Sequence, residues 1–314
     1  MSGNWKIAWR YVLVSVICTT FGLSACTGAA SPSGAVAGTP SIAGASASAT
    51  ISVVAAENFY GDIVQQLGGG HVSVVSILSD PNIDPHEYES SVQNGIAISQ
   101  AQLVIQNGDG YDTWMDKLLS ASPNPNRIDL VAAGIADHKL TDNPHFWYGI
   151  DNIQTIAGAI TAALVKIDPA DKAAFEAAST TFKQSLLPIQ QKISELKSKY
   201  AGTPVGLTET IFLYQTGPIG LNVMTPSEYE KAIAEGNDPP ADTVVTANNQ
   251  INQHLVKVLI YNVQTVTPLT TNLQNAAKLN NIPIVPVSET MPRGKTYQTW
   301  MLDQLNALQK ALGG

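Results

Sequence analysis

The sequence predicts an α/β fold of two lobes, each a mostly parallel sheet flanked by helices, joined by a long rigid helix. Two observations support this prediction. Short runs of Val, Ile and Leu alternate with helical patterns at both ends of the folded chain, which is typical of parallel sheets covered on both faces. Between these ends, strand patterns disappear over residues 152–200, so a helical segment separates the two sheets.

In the first half, apolar runs predict strands at residues 51–56, 72–78 and 103–106. The helical patterns between and after them predict helices over residues 57–67, 91–99 and 111–120. Gly68, Gly69 and Gly70 end the first of these helices, because glycine is the residue most often found just past a helix terminus.

The middle of the chain reads as two helical stretches separated near Asp168-Pro169, the second continuing to Tyr200 with Pro188 as an expected kink. Strand patterns return at 205–207, 256–261 and 284–287, and helices are expected near 269–279 and 297–312. The predicted domains are therefore a first lobe at 51–168, a linking helix at 169–200 and a second lobe at 201–314.

The amino terminus is typical of a bacterial lipoprotein precursor. A charged start is followed by an apolar run of 13 residues from Tyr11 to Leu23, which ends in Leu23-Ser24-Ala25-Cys26. The apolar run suits a signal peptide better than a membrane span. Residues 1–25 are predicted to be the signal peptide, and Cys26 the lipidated residue that holds the chain on the extracytoplasmic face of the cell membrane. Residues 26–50, rich in Ala, Ser and Gly, are predicted to be a disordered tether.

Composition excludes several classes of function. The chain carries 17 basic and 25 acidic residues, a net charge of −8, so nucleic acid is not an expected partner. Both cysteines, Cys18 and Cys26, lie before the folded part, which excludes thiolate metal sites and disulfides there. A metal site would have to be built from histidine and oxygen ligands.

Two of the five histidines lie in local sequences that suggest a site. His86 follows Asp84-Pro85 after the second predicted strand, and His145 follows Asn143-Pro144 and precedes three aromatic residues. Ligands of parallel sheets bind at the carboxyl ends of strands, and proline stiffens the backbone before each imidazole. The other three histidines, His71, His138 and His254, have contexts typical of ordinary surface residues.

Two carboxylates in the second half complete a candidate set. Glu209 and Glu289 each come just after a predicted strand, so both are expected at the carboxyl edge of the second sheet. With two ligands from each half, the site would lie in the cleft between the lobes. Asp109 and Glu57 are alternatives to Glu289.

Several motifs occur in the same order as in the solute-binding lipoproteins of bacterial zinc and manganese ABC importers. They include Asp84-Pro85-His86-Glu87-Tyr88-Glu89, Asn107-Gly108, Asn143-Pro144-His145-Phe146-Trp147 and the carboxyl-terminal Trp300-Met301 segment. The chain resembles this family over residues 51–312. By position, the resemblance implies that His86, His145, Glu209 and Glu289 are the four metal ligands. Family members usually have Asp at the fourth position, where this chain has Glu289.

The resemblance implies a monomeric binding protein, not an enzyme, that captures one divalent transition metal ion and delivers it to a membrane permease. Zinc and manganese both remain open, and iron is compatible with two imidazoles and two carboxylates. The alternatives are a secreted metal-dependent hydrolase and a surface adhesin that retains the fold. Against the hydrolase, the sequence contains neither HExxH nor GxSxG, and four protein ligands would leave no open position for water.

Overall fold

The computed structural model describes residues 50–81, 83, 88–89 and 91–314. The predicted signal peptide, the predicted lipidation site Cys26, nearly all of the predicted tether and the predicted ligand His86 lie outside the described residues. The described residues, from 50 to 314 with these gaps, belong to one compact unit. Its architecture confirms the predicted fold class, since two four-stranded parallel sheets are flanked by helices.

The first sheet has the strand order β2-β1-β3-β4. Its strands are β1 (Ile51–Glu57), β2 (Val72–Leu78), β3 (Leu103–Gln106) and β4 (Ile128–Val131). The two central strands, β1 and β3, are buried along almost their whole length, as expected for a sheet covered on both faces. The helices of this lobe are α1 (Asn58–Gly68), α2 (Val92–Gln100), α3 (Thr113–Ala121) and the short α4 (Ala132–Ile135).

The second sheet repeats this plan with the order β6-β5-β7-β8. Its strands are β5 (Pro204–Leu207), β6 (Asn222–Val223), β7 (Leu259–Asn262) and β8 (Ile284–Val287). In both sheets the first strand lies between the second and third, so the two lobes share one topology. The helices are α8 (Leu213–Ile219), α9 (Ser227–Ala234), α10 (Ala241–Asn252), α11 (Pro268–Leu279) and α12 (Tyr297–Ala311).

The linking region is helical but is not one helix. It consists of α5 (Ile150–Ile167), α6 (Lys172–Ser185) and α7 (Leu187–Tyr200), so the predicted helix over 169–200 is interrupted at Leu186. Pro188 explains the interruption, because proline has no N–H to donate to the preceding turn and is tolerated in the first turn of a new helix. The exact lobe boundaries remain predictions.

A continuous apolar core joins the two lobes. Phe59 of α1 stacks on Trp147, with ring centroids 4.5 Å apart, and lies 6.0 Å from Trp300 of α12. All three residues belong to one buried cluster that also contains residues of both sheets. Helix α12 packs against both α7 and α1, so this core ties the second lobe to the linking helices and to the first lobe. Within the described part of the chain, none of the helices combines the length and the apolar character that crossing a bilayer requires.

Candidate metal centre

His145 lies at the end of the loop that follows α4, immediately before a 3-10 turn at Phe146–Tyr148. Its orientation is set by Asn143. The Asn143 side-chain oxygen accepts hydrogen bonds from the His145 backbone N–H at 3.1 Å and from ring Nδ1 at 2.8 Å. The Asn143 amide nitrogen donates to the Thr210 carbonyl at 2.9 Å. This second bond fixes which end of the amide faces the ring. Because an amide oxygen only accepts, Nδ1 carries the proton and Nε2 carries the lone pair that a metal ligand needs.

Aromatic rings surround the imidazole. The Trp147 ring lies edge-on with its centroid 5.2 Å from that of His145, and the Tyr111 ring lies 6.1 Å away in a similar orientation. These rings keep bulk water from the imidazole, which strengthens electrostatic interactions with a bound cation.

Glu209 is the second residue after β5, where the sheet ends and a 3-10 turn begins at Thr210–Phe212. Its Oε2 accepts the Ile211 backbone N–H at 2.8 Å and so caps that turn. Its Oε1 is buried and has no hydrogen-bond partner among the residues that the structure describes. An unpaired buried carboxylate oxygen is costly, and coordination to a cation would satisfy it.

Glu289 occupies the matching position, two residues after β8. Unlike Glu209, it accepts hydrogen bonds at both of its carboxylate oxygens. Oε1 accepts from the Asn262 amide at 2.5 Å and from the Thr265 hydroxyl at 3.3 Å, and Oε2 accepts from the Tyr111 hydroxyl at 2.9 Å. Tyr111 belongs to the first lobe, so this carboxylate is oriented from both lobes.

The structure brings His145, Glu209 and Glu289 together. Each offers one ligand atom, and these atoms all lie within 4.8 Å of one another. In a tetrahedral zinc site with bonds of roughly 2.1 Å, two donor atoms lie about 3.4 Å apart, so the donor atoms would have to approach one another by at most about 1.4 Å to bind one ion. The three residues are 1%, 2% and 1% exposed.

The electrostatics of the group favour a cation. Burial, and next the charge of Glu289, raise the pKa of Glu209 well above its ordinary value. Two buried carboxylates this close repel each other, and a divalent cation between them removes the repulsion. The donor set of one imidazole and two carboxylates suits zinc, manganese or iron.

The alternatives to Glu289 lie elsewhere. Glu57, at the end of β1, is buried, and burial together with the charge of Asp112 raises the pKa of Glu57 well above its ordinary value. Asp112 accepts the backbone N–H groups of Asn107 and Gly108, each at 2.7 Å. Among the described residues, neither Glu57 nor Asp109 joins the group of three.

A cavity of about 340 Å³ reaches His145 from the surface. It is lined by parts of both lobes, including Asp109, Asp142, His145, Lys231, Ala234 and Glu235. Across it, Lys231 pairs with Asp142 at 2.6 Å. This cavity connects solvent with the region of the buried donors.

Sequence reasoning did not identify the residues that orient the donors, namely Asn143, Tyr111, Asn262 and Thr265. For Asn143 and Asn262, the local sequence gave a weak indication of a role at the site. The first precedes a Pro-His pair, and the second ends a buried strand. For Tyr111 and Thr265 the local sequence gave no such indication, because the carboxylate that they contact is distant in sequence.

These features define a class: a two-lobed α/β binding protein in which an imidazole and two carboxylates from the two lobes face one buried point. The chain belongs to the ZnuA family, the periplasmic component A of the zinc-uptake complex, whose profile matches residues 53–311.

Individual relatives are distant. The chain is 24% identical over 287 residues to the manganese ABC transporter substrate-binding lipoprotein PsaA of Streptococcus anginosus, covering 83% of this chain and 89% of that protein. It is 30% identical over 138 residues to a putative metal-binding protein of Treponema pallidum, covering 38% of this chain and 43% of that protein. That alignment therefore spans less than half of the relative.

The fold is similar to that of the periplasmic zinc-binding protein TroA from Treponema pallidum. The TM-score is 0.71 at 16% sequence identity, and the match covers 84% of this chain and 100% of that chain. At this identity the likeness establishes the shared fold.

Proposed function

We propose that the protein is an extracytoplasmic solute-binding lipoprotein that captures one divalent transition metal ion, zinc or manganese, and delivers it to an ABC permease in the membrane. The observation that carries the proposal is the convergence of His145, Glu209 and Glu289 on one buried point. Family membership supports the same conclusion. The metal is kept as zinc or manganese because the named relatives include a manganese and a zinc binder.

The proposed ligand set is His86, His145, Glu209 and Glu289. The prediction for His86 comes from the Asp84-Pro85-His86 sequence, which follows β2 along the chain. Four protein ligands would replace the water shell of the ion and leave no open position, so we infer storage and transfer of the ion and no turnover of a substrate.

Binding should weaken as the pH falls. An imidazole ligand must be neutral and the carboxylates ionised, so each proton that binds competes with the metal. Because the pKa of Glu209 is raised by burial and by Glu289, this competition extends well above the pH range of an ordinary glutamate.

Calorimetric titration of the chelator-stripped protein with Zn²⁺ and Mn²⁺ tests the proposal. We expect one ion per chain and a weakening of at least about 100-fold for His145→Ala, since losing a ligand removes several kcal/mol of binding. His138→Ala is the matched control, because the His138 side chain is 66% exposed. Absence of binding by the wild type, or wild-type affinity in His145→Ala, would refute the proposed site.

The proposed membrane anchor is tested separately. The Cys26→Ser variant, expressed in a bacterium that processes lipoproteins, should move from the membrane fraction to the soluble extracytoplasmic fraction. A variant that stays with the membrane would contradict lipidation at Cys26 and leave the metal site unaffected.

A further inference from the structure

Gln264 is a polar residue that the proposed ligand set does not use, although its side chain contacts the segment that carries Glu289. It lies two residues beyond β7 and is 9% exposed. Its Oε1 accepts the backbone N–H of Glu289 at 2.8 Å, the backbone N–H of Thr290 at 3.0 Å and the Thr290 hydroxyl at 3.3 Å. The oxygen of this amide is therefore devoted to the segment that carries a metal donor.

The other end of the Gln264 amide reaches the first lobe. Its Nε2 donates to the carbonyl of Ile83 at 2.8 Å, and Ile83 lies in the loop between β2 and α2. Because a carbonyl oxygen only accepts hydrogen bonds, this contact fixes which end of the amide faces Glu289. A single side chain thus joins the first lobe to the backbone of Glu289.

Glu289 needs such an acceptor because of its place in the chain. The pairing of β8 with β7 ends at Val287, so the N–H of Glu289 lies beyond the ladder of the sheet. A buried backbone N–H without an acceptor is costly, and Gln264 supplies the acceptor.

The neighbours of Gln264 contact the other end of the same residue. Asn262 and Thr265 donate to Oε1 of Glu289, and the side-chain oxygen of Asn262 also accepts the backbone N–H of Gln264 at 3.0 Å. The short segment from Asn262 to Thr265 therefore holds Glu289 at both its backbone and its carboxylate.

We propose that Gln264 is a positioning residue of the metal centre, which places the Glu289 carboxylate by holding the backbone of Glu289. This proposal rests on the proposed function of the centre. Oε1 of Gln264 already accepts three hydrogen bonds, and an amide oxygen has two lone pairs, so Gln264 acts through Glu289 and does not bind the ion itself. Removing Gln264 should therefore weaken metal binding only where the Glu289 carboxylate is present to be misplaced.

A double-mutant cycle tests this dependence. Zinc affinities of wild type, Gln264→Met, Glu289→Gln and the double variant are measured by competition with chelators of graded strength. Gln264→Met keeps the length of the side chain and removes both its donor and its acceptor. We expect it to weaken zinc binding by about tenfold in wild type, the lower end of the range for groups that orient metal ligands. In the Glu289→Gln background the same change should cost less than about threefold, because residues that act as a unit are not additive.

Gln253→Met is the matched control, since Gln253 is exposed and follows α10, and it should bind zinc as wild type does. If Gln264→Met fails to fold, as judged by urea unfolding of the metal-free protein, Gln264→Asn takes its place in the cycle. The asparagine keeps the amide but is one methylene shorter, so it cannot span the distance from Glu289 to Ile83.

Two results would overturn the positioning role. One is wild-type affinity in the Gln264 variant. The other is an equal loss of affinity with and without the Glu289 carboxylate, because Gln264 would then act through the general stability of the fold. A wild-type protein that binds no zinc would instead refute the proposed function itself.

Discussion

The two lobes have the same sheet order but supply their metal donors in different ways. In the second lobe, Glu209 and Glu289 each lie two residues beyond a strand, β5 and β8. In the first lobe, His145 is separated from β4 by α4 and a loop over residues 136–144. A shared topology therefore fixes where the carboxylates emerge, whereas the imidazole depends on a loop conformation.

His145, on a loop of the first lobe, is oriented through a contact with the second lobe. Glu289, in the second lobe, is oriented in turn by a contact with the first lobe. Asn143, which orients His145, is held by the Thr210 carbonyl of the second lobe, and Glu289 accepts a hydrogen bond from Tyr111 of the first. Each lobe thus positions a donor of the other, so the geometry of the centre depends on both lobes being packed together.

The largest effect is expected where a carboxylate is replaced by an amide. Glu289→Gln should weaken zinc binding by more than about 100-fold, because it removes a charge and also turns an amide N–H₂ toward groups that donate to Glu289, from Tyr111, Asn262 and Thr265. Glu209→Gln should weaken zinc binding by a smaller factor, since only Oε2 of Glu209 accepts a strong hydrogen bond. Chelator-competition titrations of the two variants measure the difference. Equal losses would show that the denser hydrogen bonding of Glu289 has no effect on binding.

An intermediate effect is expected at Asn143, which acts on the metal through His145. Asn143→Ala removes the acceptor of the Nδ1 proton and should weaken zinc binding by about 10- to 100-fold, the range typical of groups that orient metal-ligating histidines. The same titration at several pH values checks the cause, because a lost tautomer preference changes the pH dependence as well as the affinity. Asn126→Ala, at an exposed position of the loop before β4, is the control and should bind as wild type.

A smaller effect is expected from the cross-lobe hydrogen bond of Tyr111. Tyr111→Phe keeps the buried ring and removes one of the three side-chain donors to Glu289 seen among the described residues, so zinc affinity should fall by roughly 3- to 30-fold, equivalent to about 0.7–2 kcal/mol. Thr265→Val removes a donor to the same carboxylate from within the second lobe. If only Thr265→Val weakens binding, the support from the first lobe is not needed.

A separate effect concerns stability and involves no metal ligand. Burial and the neighbouring Asp112 raise the pKa of Glu57, so the folded chain keeps a proton on Glu57 at pH values where the unfolded chain has lost it. The stability contributed by this group is complete below about pH 4.5 and declines as the pH rises toward the folded pKa, by at most about 1.4 kcal/mol per pH unit.

Glu57→Gln cannot ionise and should flatten this decline. Urea unfolding of the metal-free protein between pH 5 and pH 8 measures it, with the exposed Glu228→Gln as the control. If Glu57→Gln kept the wild-type dependence on pH, the buried acid pair with Asp112 would not be the source.

Most of the sheet could be predicted from the sequence, and the exceptions have physical reasons. Strands β1, β2, β3, β5 and β8 lie where their apolar runs predicted them. The edge strand β4 was missed because its residues are only partly buried, and β6 has two residues. Val256 and Val258 were expected in β7 but precede it. Both are buried, so the apolar pattern at these positions indicated burial in the core and not membership of a strand.

The site was predictable to the extent that its donors follow strands or lie in a recognisable motif. Glu209 and Glu289 follow from the strand-end rule, and His145 from its Pro-His sequence. The orienting contacts of Tyr111 and Thr210 were not predictable, because they join segments that only tertiary folding brings together.

The most direct test of the account is a crystal structure of the zinc-loaded protein with anomalous difference data collected at the zinc absorption edge. The account predicts a single strong peak between the lobes, within bonding distance of His145 Nε2 and of one carboxylate oxygen each from Glu209 and Glu289, with His86 as the fourth ligand. A peak elsewhere on the chain, or a zinc ion between the lobes that does not touch His145, would contradict it.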